Sequence, residues 1–390
     1  MPVRLGIERL IDGSDRELIA GRRIGLVCNP ASIDGAFRHA ADRLAAPGDW
    51  TLTALFGPQH GFHSDLQENM IESPHGRDAK RRVPVHSLYS ETREPTAEML
   101  ADVDVLVIDL QDVGTRIYTY IYTMANCLRA ARRHGVRVVV CDRPNPIGGD
   151  RVEGATLDPA FASFVGQFPI PMRHGLTIGE AARLFNDQFG IGAAVDVVPM
   201  EGWQRSMYFE QTRLPFVPPS PNIPTAETCV VYPGAVLFEG TWLSEGRGTN
   251  KPFELIGAPW IDGERFAAAM NARGLPGVFF RPEFFEPTFH KHAQQLCGGC
   301  QVHVTDRDAF EPVRAAVEML AEFRREAPGT NLWRDPPYEY EHEKLPIDIL
   351  YGSDRLRKAV DGGDDPSVVT REWRREEDAF RALREKFLLY

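Results

Sequence analysis

Glu239 and Glu245 stand six residues apart in a glycine-rich stretch, with Arg247 two residues further on. Two carboxylates near one pocket suit glycoside chemistry. One protonates the leaving oxygen while the other stabilises or attacks the anomeric carbon. A salt bridge between Glu245 and Arg247 in a surface turn is the plain alternative, but Trp242 and Phe253 nearby favour a packed loop. A second cluster begins at Asp109 and continues through Asp112, Arg116, Tyr118 and Tyr120. Arg116 could grip a substrate carboxylate through two parallel hydrogen bonds, or only neutralise Asp112. Asp142, Arg143 and Asn145 form a third group, and His60 and His63 a His-x-x-His pair beside Asp65. The histidines could ligate a metal, act as a base or contact substrate, or simply satisfy loop backbone. No third and fourth ligand stand at recognisable spacing.

These groups need elements to carry them. Four β-branched runs, at residues 23–28, 50–56, 103–109 and 135–141, each lead into a polar loop. Nearly continuous apolar strands alternating with helices predict an α/β fold with a parallel sheet covered on both faces. Ligands of such sheets bind outside the carboxyl ends of the strands, where the polar groups fall. Residues 117–134 carry helical spacing and stop at Gly135, and Glu94-Pro95-Thr96 reads as a helix start. Residues 168–253, rich in proline and glycine, read as ordered, site-forming loop. A strand at 301–305 and a helix at 309–325 predict a smaller α/β (α+β) domain over residues 226–390, after a first domain over 1–225.

Composition narrows the function. The formal net charge of −11 argues against nucleic acid, which requires a cationic footprint, and against an anionic membrane surface. No apolar run reaches a membrane span, and acids and arginines occupy the first residues, so a cytoplasmic protein is expected. The six cysteines read as buried small hydrophobes, with Cys297-Gly-Gly-Cys300 a weak zinc or redox signal. No GxGxxG or Walker lysine motif and no GxSxG elbow is present, which weakens nucleotide-binding and esterase readings. What remains is a mixture of polar side chains suited to a polyhydroxylated small ligand, with or without a carboxylate.

At these motifs the sequence resembles the NamZ family of exo-β-N-acetylmuramidases. The likeness runs through Phe56-Gly-Pro-Gln-His-Gly-Phe62, Val85-His-Ser-Leu-Tyr89, the stretch from Asp109 to Tyr120 and Asp142-Arg-Pro-Asn-Pro146. It continues through Arg173-His-Gly-Leu-Thr-Ile-Gly-Glu180, Pro218-Pro-Ser-Pro-Asn222, Glu239-Gly-Thr241 and Ser244-Glu-Gly-Arg-Gly-Thr249. The resemblance implies a Rossmann-like N-terminal domain, a smaller C-terminal domain and a cleft between them. It further implies cofactor-free release of terminal N-acetylmuramic acid from peptidoglycan fragments. On these positions Glu245, Glu239, Asp109 and His60 become candidates for catalysis. Gln59, His63, Glu72, Asp112, Arg116, Tyr118, Arg143, Asn145, Asn222, Arg247 and Thr249 become candidates for binding substrate, with Arg116 or Arg247 on its lactyl carboxylate. The chain departs from the family pattern at Gln59, where Pro-Glu-His-Gly is expected. An amide cannot donate a proton as an acid does, although it can position water or a sugar hydroxyl. Another carboxylate (Glu72, Glu239 or Glu245) must then do the chemistry, or the protein takes another substrate or only binds one. A metal-dependent hydrolase using His60 and His63 is a further alternative.

Overall fold

The computed structural model describes residues 2–68 and 70–390. Its larger sheet has seven strands: β1 (Arg23–Val27), β2 (Thr51–Gly57), β3 (Gly76–Asp78), β4 (Val83–Ser87), β5 (Val105–Ile108), β6 (Arg137–Cys141) and, after two strands of a separate hairpin, β9 (Val195–Val198). Their order is β3-β4-β2-β1-β5-β6-β9, and every pairing except β3 with β4 is parallel. The four apolar runs expected as strands are β1, β2, β5 and β6. All but the first residue of β1 and β6 are buried, because helices cover both faces of the sheet. The hairpin is β7 (Glu153–Thr156) with β8 (Pro171–Arg173).

The second region holds a three-stranded antiparallel sheet of β10 (Leu255–Ala258), β11 (Val278–Phe285) and β12 (Cys297–Val304), in the order β10-β12-β11. Helix Gly263–Ala272 packs on it, and helix Pro312–Glu326 packs against that helix and against helix Ala226–Ala235. There a β-carbon on Gly234 would lie 1.9 Å from the Pro312 carbonyl oxygen, so only glycine lets the two backbones meet. This contact fixes the start of the turn Val236–Gly240, which carries Glu239.

Three local expectations change. Residues 117–134 form a helix only from Tyr120, ending at the left-handed Gly135 as expected. The stretch after Glu94 makes turns and no helix, because Val103 and the β5 strand follow too soon for a full helical crossover. Inside the expected loop lies helix Ile178–Asp187, opened by a capping box in which Thr177 and Glu180 satisfy each other's backbone N–H. Cys297 and Cys300 fall on one strand, where residues three apart point to opposite faces, and all six cysteines are free and buried. Among the described residues, no helix is long and apolar enough to cross a membrane.

Candidate active site

The loops at the carboxyl ends of β2 and β5 meet the turn at Glu239 and the segment at Tyr338 around a narrow cavity of about 30 Å³. The first loop enters through two successive left-handed residues, His60 (φ 70°) and Gly61 (φ 82°). This reversal divides the histidine pair. His60 lines the cavity, whereas His63 lines a separate groove with His75 and His86. His60 Nδ1 bonds the Leu66 carbonyl at 2.7 Å, and burial lowers its pKa to about 4. It is therefore a neutral ring with Nδ1 as donor, leaving Nε2 as acceptor. Among the described residues, no three His, Cys, Asp or Glu side chains gather as metal ligands, because this turn parts the two histidines.

Glu339 sits opposite Gln59 and is 2% exposed. Gln59 Nε2 donates to Glu339 Oε1 at 3.0 Å, and Tyr89 OH donates to Oε2 at 2.7 Å. Thr119 Oγ1 in turn donates to Gln59 Oε1 at 2.8 Å. Burial pushes the Glu339 carboxyl up to about 7 against the pull of its two donors, and the nearby charge of Glu239 adds to the rise. At neutral pH a large share of Glu339 is therefore a carboxylic acid, able to give a proton.

Glu239 forms the facing wall. Arg247 Nη2 donates to its Oε1 at 2.7 Å and Tyr338 OH to its Oε2 at 2.6 Å. Behind it, Arg247 Nε lies 3.2 Å from Glu245, and Lys291 Nζ lies 2.5 Å from the same carboxylate. Lys291 also donates to the carbonyls of Phe238, Thr241 and Leu243, so it staples the turn that presents Glu239. Burial alone would raise the Glu245 carboxyl, but Lys291, His290 and Arg247 overcome it and hold the group well below the ordinary range. Likewise burial would lower the Arg247 guanidinium, and its attraction to Glu239 and Glu245 raises it instead. Glu245 does not line the cavity; it supports Arg247 from behind. The remaining wall is aromatic, with Tyr118, Tyr232 and Phe253 edge to face at 6.0 and 4.8 Å.

Of the expected site residues, Gln59, His60, Tyr118, Asn222, Glu239 and Arg247 meet at this cavity. Asn222 also donates to the Gln67 carbonyl at 2.9 Å, tying the two loops together. Others are engaged elsewhere. Asp109 is chelated by Arg143 through bonds of 2.6 and 2.8 Å, which neutralises a carboxylate buried at the end of β5. Asp112 accepts from the Gly114 backbone at 2.8 Å and lies 3.4 Å from His174. Arg116 gives its guanidinium to the carbonyls of Ala155, Ile170, Leu350 and Tyr351, so it has no fork to offer a ligand. Asn145 bonds the Leu176 carbonyl and the Ile147 amide. Thr249 folds back on the Gly246 carbonyl at 2.6 Å. Glu72 is exposed, with Arg93 at 3.4 Å and Tyr340 OH at 3.3 Å. For the buried ones among them the cause is shared: a buried polar group must find a partner, and nearby backbone or an opposite charge supplies it.

Glu339, Tyr338, Tyr89 and Thr119 escaped the sequence reading as site residues. For Glu339 a signal existed: Pro336-Pro-Tyr-Glu-Tyr-Glu341 packs carboxylates and tyrosines into a proline-fixed loop, the same signature that singled out the middle segment.

Fold and site together define a two-region α/β protein whose enclosed cavity, at the carboxyl edge of a parallel sheet, holds two buried glutamates with contrasting partners. Residues 24–227 match the family Exo-beta-N-acetylmuramidase NamZ, N-terminal, and residues 230–390 match Exo-beta-N-acetylmuramidase NamZ, C-terminal. The chain belongs to the NamZ family. It is 46% identical over 389 residues to the peptidoglycan beta-N-acetylmuramidase NamZ of Bacillus subtilis (strain 168), covering 100% of this chain and 91% of that protein. A crystal structure of a DUF1343 family protein from Bacteroides fragilis superposes with a TM-score of 0.90 at 33% identity, covering 100% of this chain and 99% of the other. A second such protein from the same organism gives 0.79 at 27% identity, with the same coverage.

Proposed function

We propose that this protein is an exo-acting glycoside hydrolase that removes a terminal N-acetylmuramic acid from peptidoglycan-derived glycans. The observation that carries the reading is the pairing of Glu339, buried with its carboxyl raised to about 7, with Glu239, held by Arg247 and Tyr338, on one cavity. Two carboxyl groups whose surroundings treat them differently are what acid–base glycoside cleavage requires. The likeness to a peptidoglycan beta-N-acetylmuramidase supports the substrate class.

In this mechanism Glu339 passes its proton to the glycosidic oxygen as the bond to the anomeric carbon breaks. The Glu239 carboxylate faces the positive charge that develops on the sugar and takes the proton of the entering water. Glu239 then releases that proton to solvent and Glu339 recovers one, which closes the cycle. The aromatic wall of Tyr118, Tyr232 and Phe253 suits the apolar face of a sugar ring, and Asn222 and the His60 ring suit its hydroxyl or amide groups. Arg247, which also lies on the cavity wall, is engaged by Glu239 and Glu245.

Incubation with a chromogenic β-N-acetylmuramide, and with defined glycan fragments, tests the proposal. Release of the terminal monosaccharide alone is expected. Internal cleavage products would refute the exo reading. Tight binding without turnover by well-folded protein would refute the enzymatic one.

A further inference from the structure

Gln59 stands between the hydroxyl of Thr119 and the carboxyl of Glu339, and each of its two polar atoms is engaged by one of them. Its carbonyl oxygen accepts from Thr119 and its amide nitrogen donates to Glu339. Thr119 sits at the amino end of helix Tyr120–His134, packed under the cavity, so its hydroxyl is a fixed reference. Tyr89 holds the other oxygen of Glu339 from the start of the loop after β4. Glu339 itself lies on a segment more than two hundred residues away in sequence, at a left-handed backbone position (φ 44°). Such a residue keeps its place only where surrounding contacts impose it.

We propose that Gln59, oriented by Thr119, is a positioning residue that holds Glu339 in place through both protonation states of the catalytic cycle. This inference rests on the reading of Glu339 as the proton donor. An acid in a hydrolytic cycle alternates between COOH and COO⁻, and its neighbour must satisfy both. A carboxamide can, because it presents a donor to the anion and, after a rotation of its plane, an acceptor to the acid. Thr119 can match either orientation, since a hydroxyl both donates and accepts. A glutamate at position 59 would instead set a second carboxylate about 3.0 Å from Glu339. The two would then share one proton and titrate as a pair. The amide thus leaves Glu339 as an independent acid.

The test is the pH profile of turnover on a chromogenic β-N-acetylmuramide, for Gln59→Met, Gln59→Glu and Thr119→Val beside Glu339→Gln. Removing the donor to the anion should lower kcat roughly 10- to 100-fold in Gln59→Met, leave KM within about twofold, and move the basic limb up by about one pH unit. Thr119→Val, the milder change, should move the limb the same way by less. Gln59→Glu should move it furthest. Thermal melting confirms that each variant is folded. A limb that stays in place while KM rises would make Gln59 a plain substrate contact and overturn the inference, with Glu339→Gln still inactive. If Glu339→Gln turns over as the wild type does, the assignment of the acid falls first.

Discussion

Glu339→Gln should make the protein inactive and, above neutral pH, more stable. The substitution keeps shape and removes the titrating proton. In the folded chain the carboxyl is raised from its ordinary 4.5 to about 7. Stability from this group is therefore complete below about pH 4.5 and is lost as the pH rises through 7, because the unfolded chain ionises first. A shift of this size corresponds to about 3 kcal/mol at pH 8 and above. The glutamine has no such term, so the variant should match the wild type near pH 4.5 and exceed it at pH 8 by up to that amount. Its kcat should fall roughly 10²- to 10⁴-fold, the usual worth of a positioned general acid. Denaturant unfolding at the two pH values, with turnover of a chromogenic β-N-acetylmuramide, reads both effects. A variant with kcat within a few-fold of the wild type, or a stability difference equal at both pH values, would refute the reasoning.

Turnover by the wild type should decline above about pH 7 as Glu339 ionises, and a profile flat to pH 9 would contradict this. His60, already neutral with its pKa near 4, should add no step near pH 6.5, which its ring proton signals in an NMR titration would check. Arg247→Met strands Glu239 and Glu245 without their shared partner and should cost about 3–5 kcal/mol of stability, measured as a shifted denaturant midpoint. Arg116→Met leaves four buried carbonyls unsatisfied and should destabilise by at least about 3 kcal/mol, while the folded fraction keeps the wild-type KM.

The parallel sheet was legible because buried parallel strands are written as unbroken β-branched runs, and β1, β2, β5 and β6 need no distant information to be recognised. The location of the site followed from the same logic, since ligand loops gather at strand ends. Individual roles were less legible. Asp109 and Arg143 look like chemistry in sequence, yet they face each other across adjacent strand ends and neutralise one another. Arg116 looks like a carboxylate clamp, but carbonyls from residues 155 to 351 converge on it, and no local spacing announces that convergence. The helix Ile178–Asp187 was marked by its Thr177–Glu180 capping box, a signal masked by the glycines and prolines around it. Glu339 was hidden by distance, since only the folded chain brings it to Gln59.

That distance has a consequence for how the protein comes into being. The ribosome delivers the sheet, the aromatic wall and Gln59 long before it delivers residue 339, and the carbonyls of Leu350 and Tyr351 that lock onto Arg116 come later still. A chain that ended before residue 339 would lack the proton donor of the cavity. A stop codon ahead of residue 339 would therefore yield a blank, not a weakened enzyme.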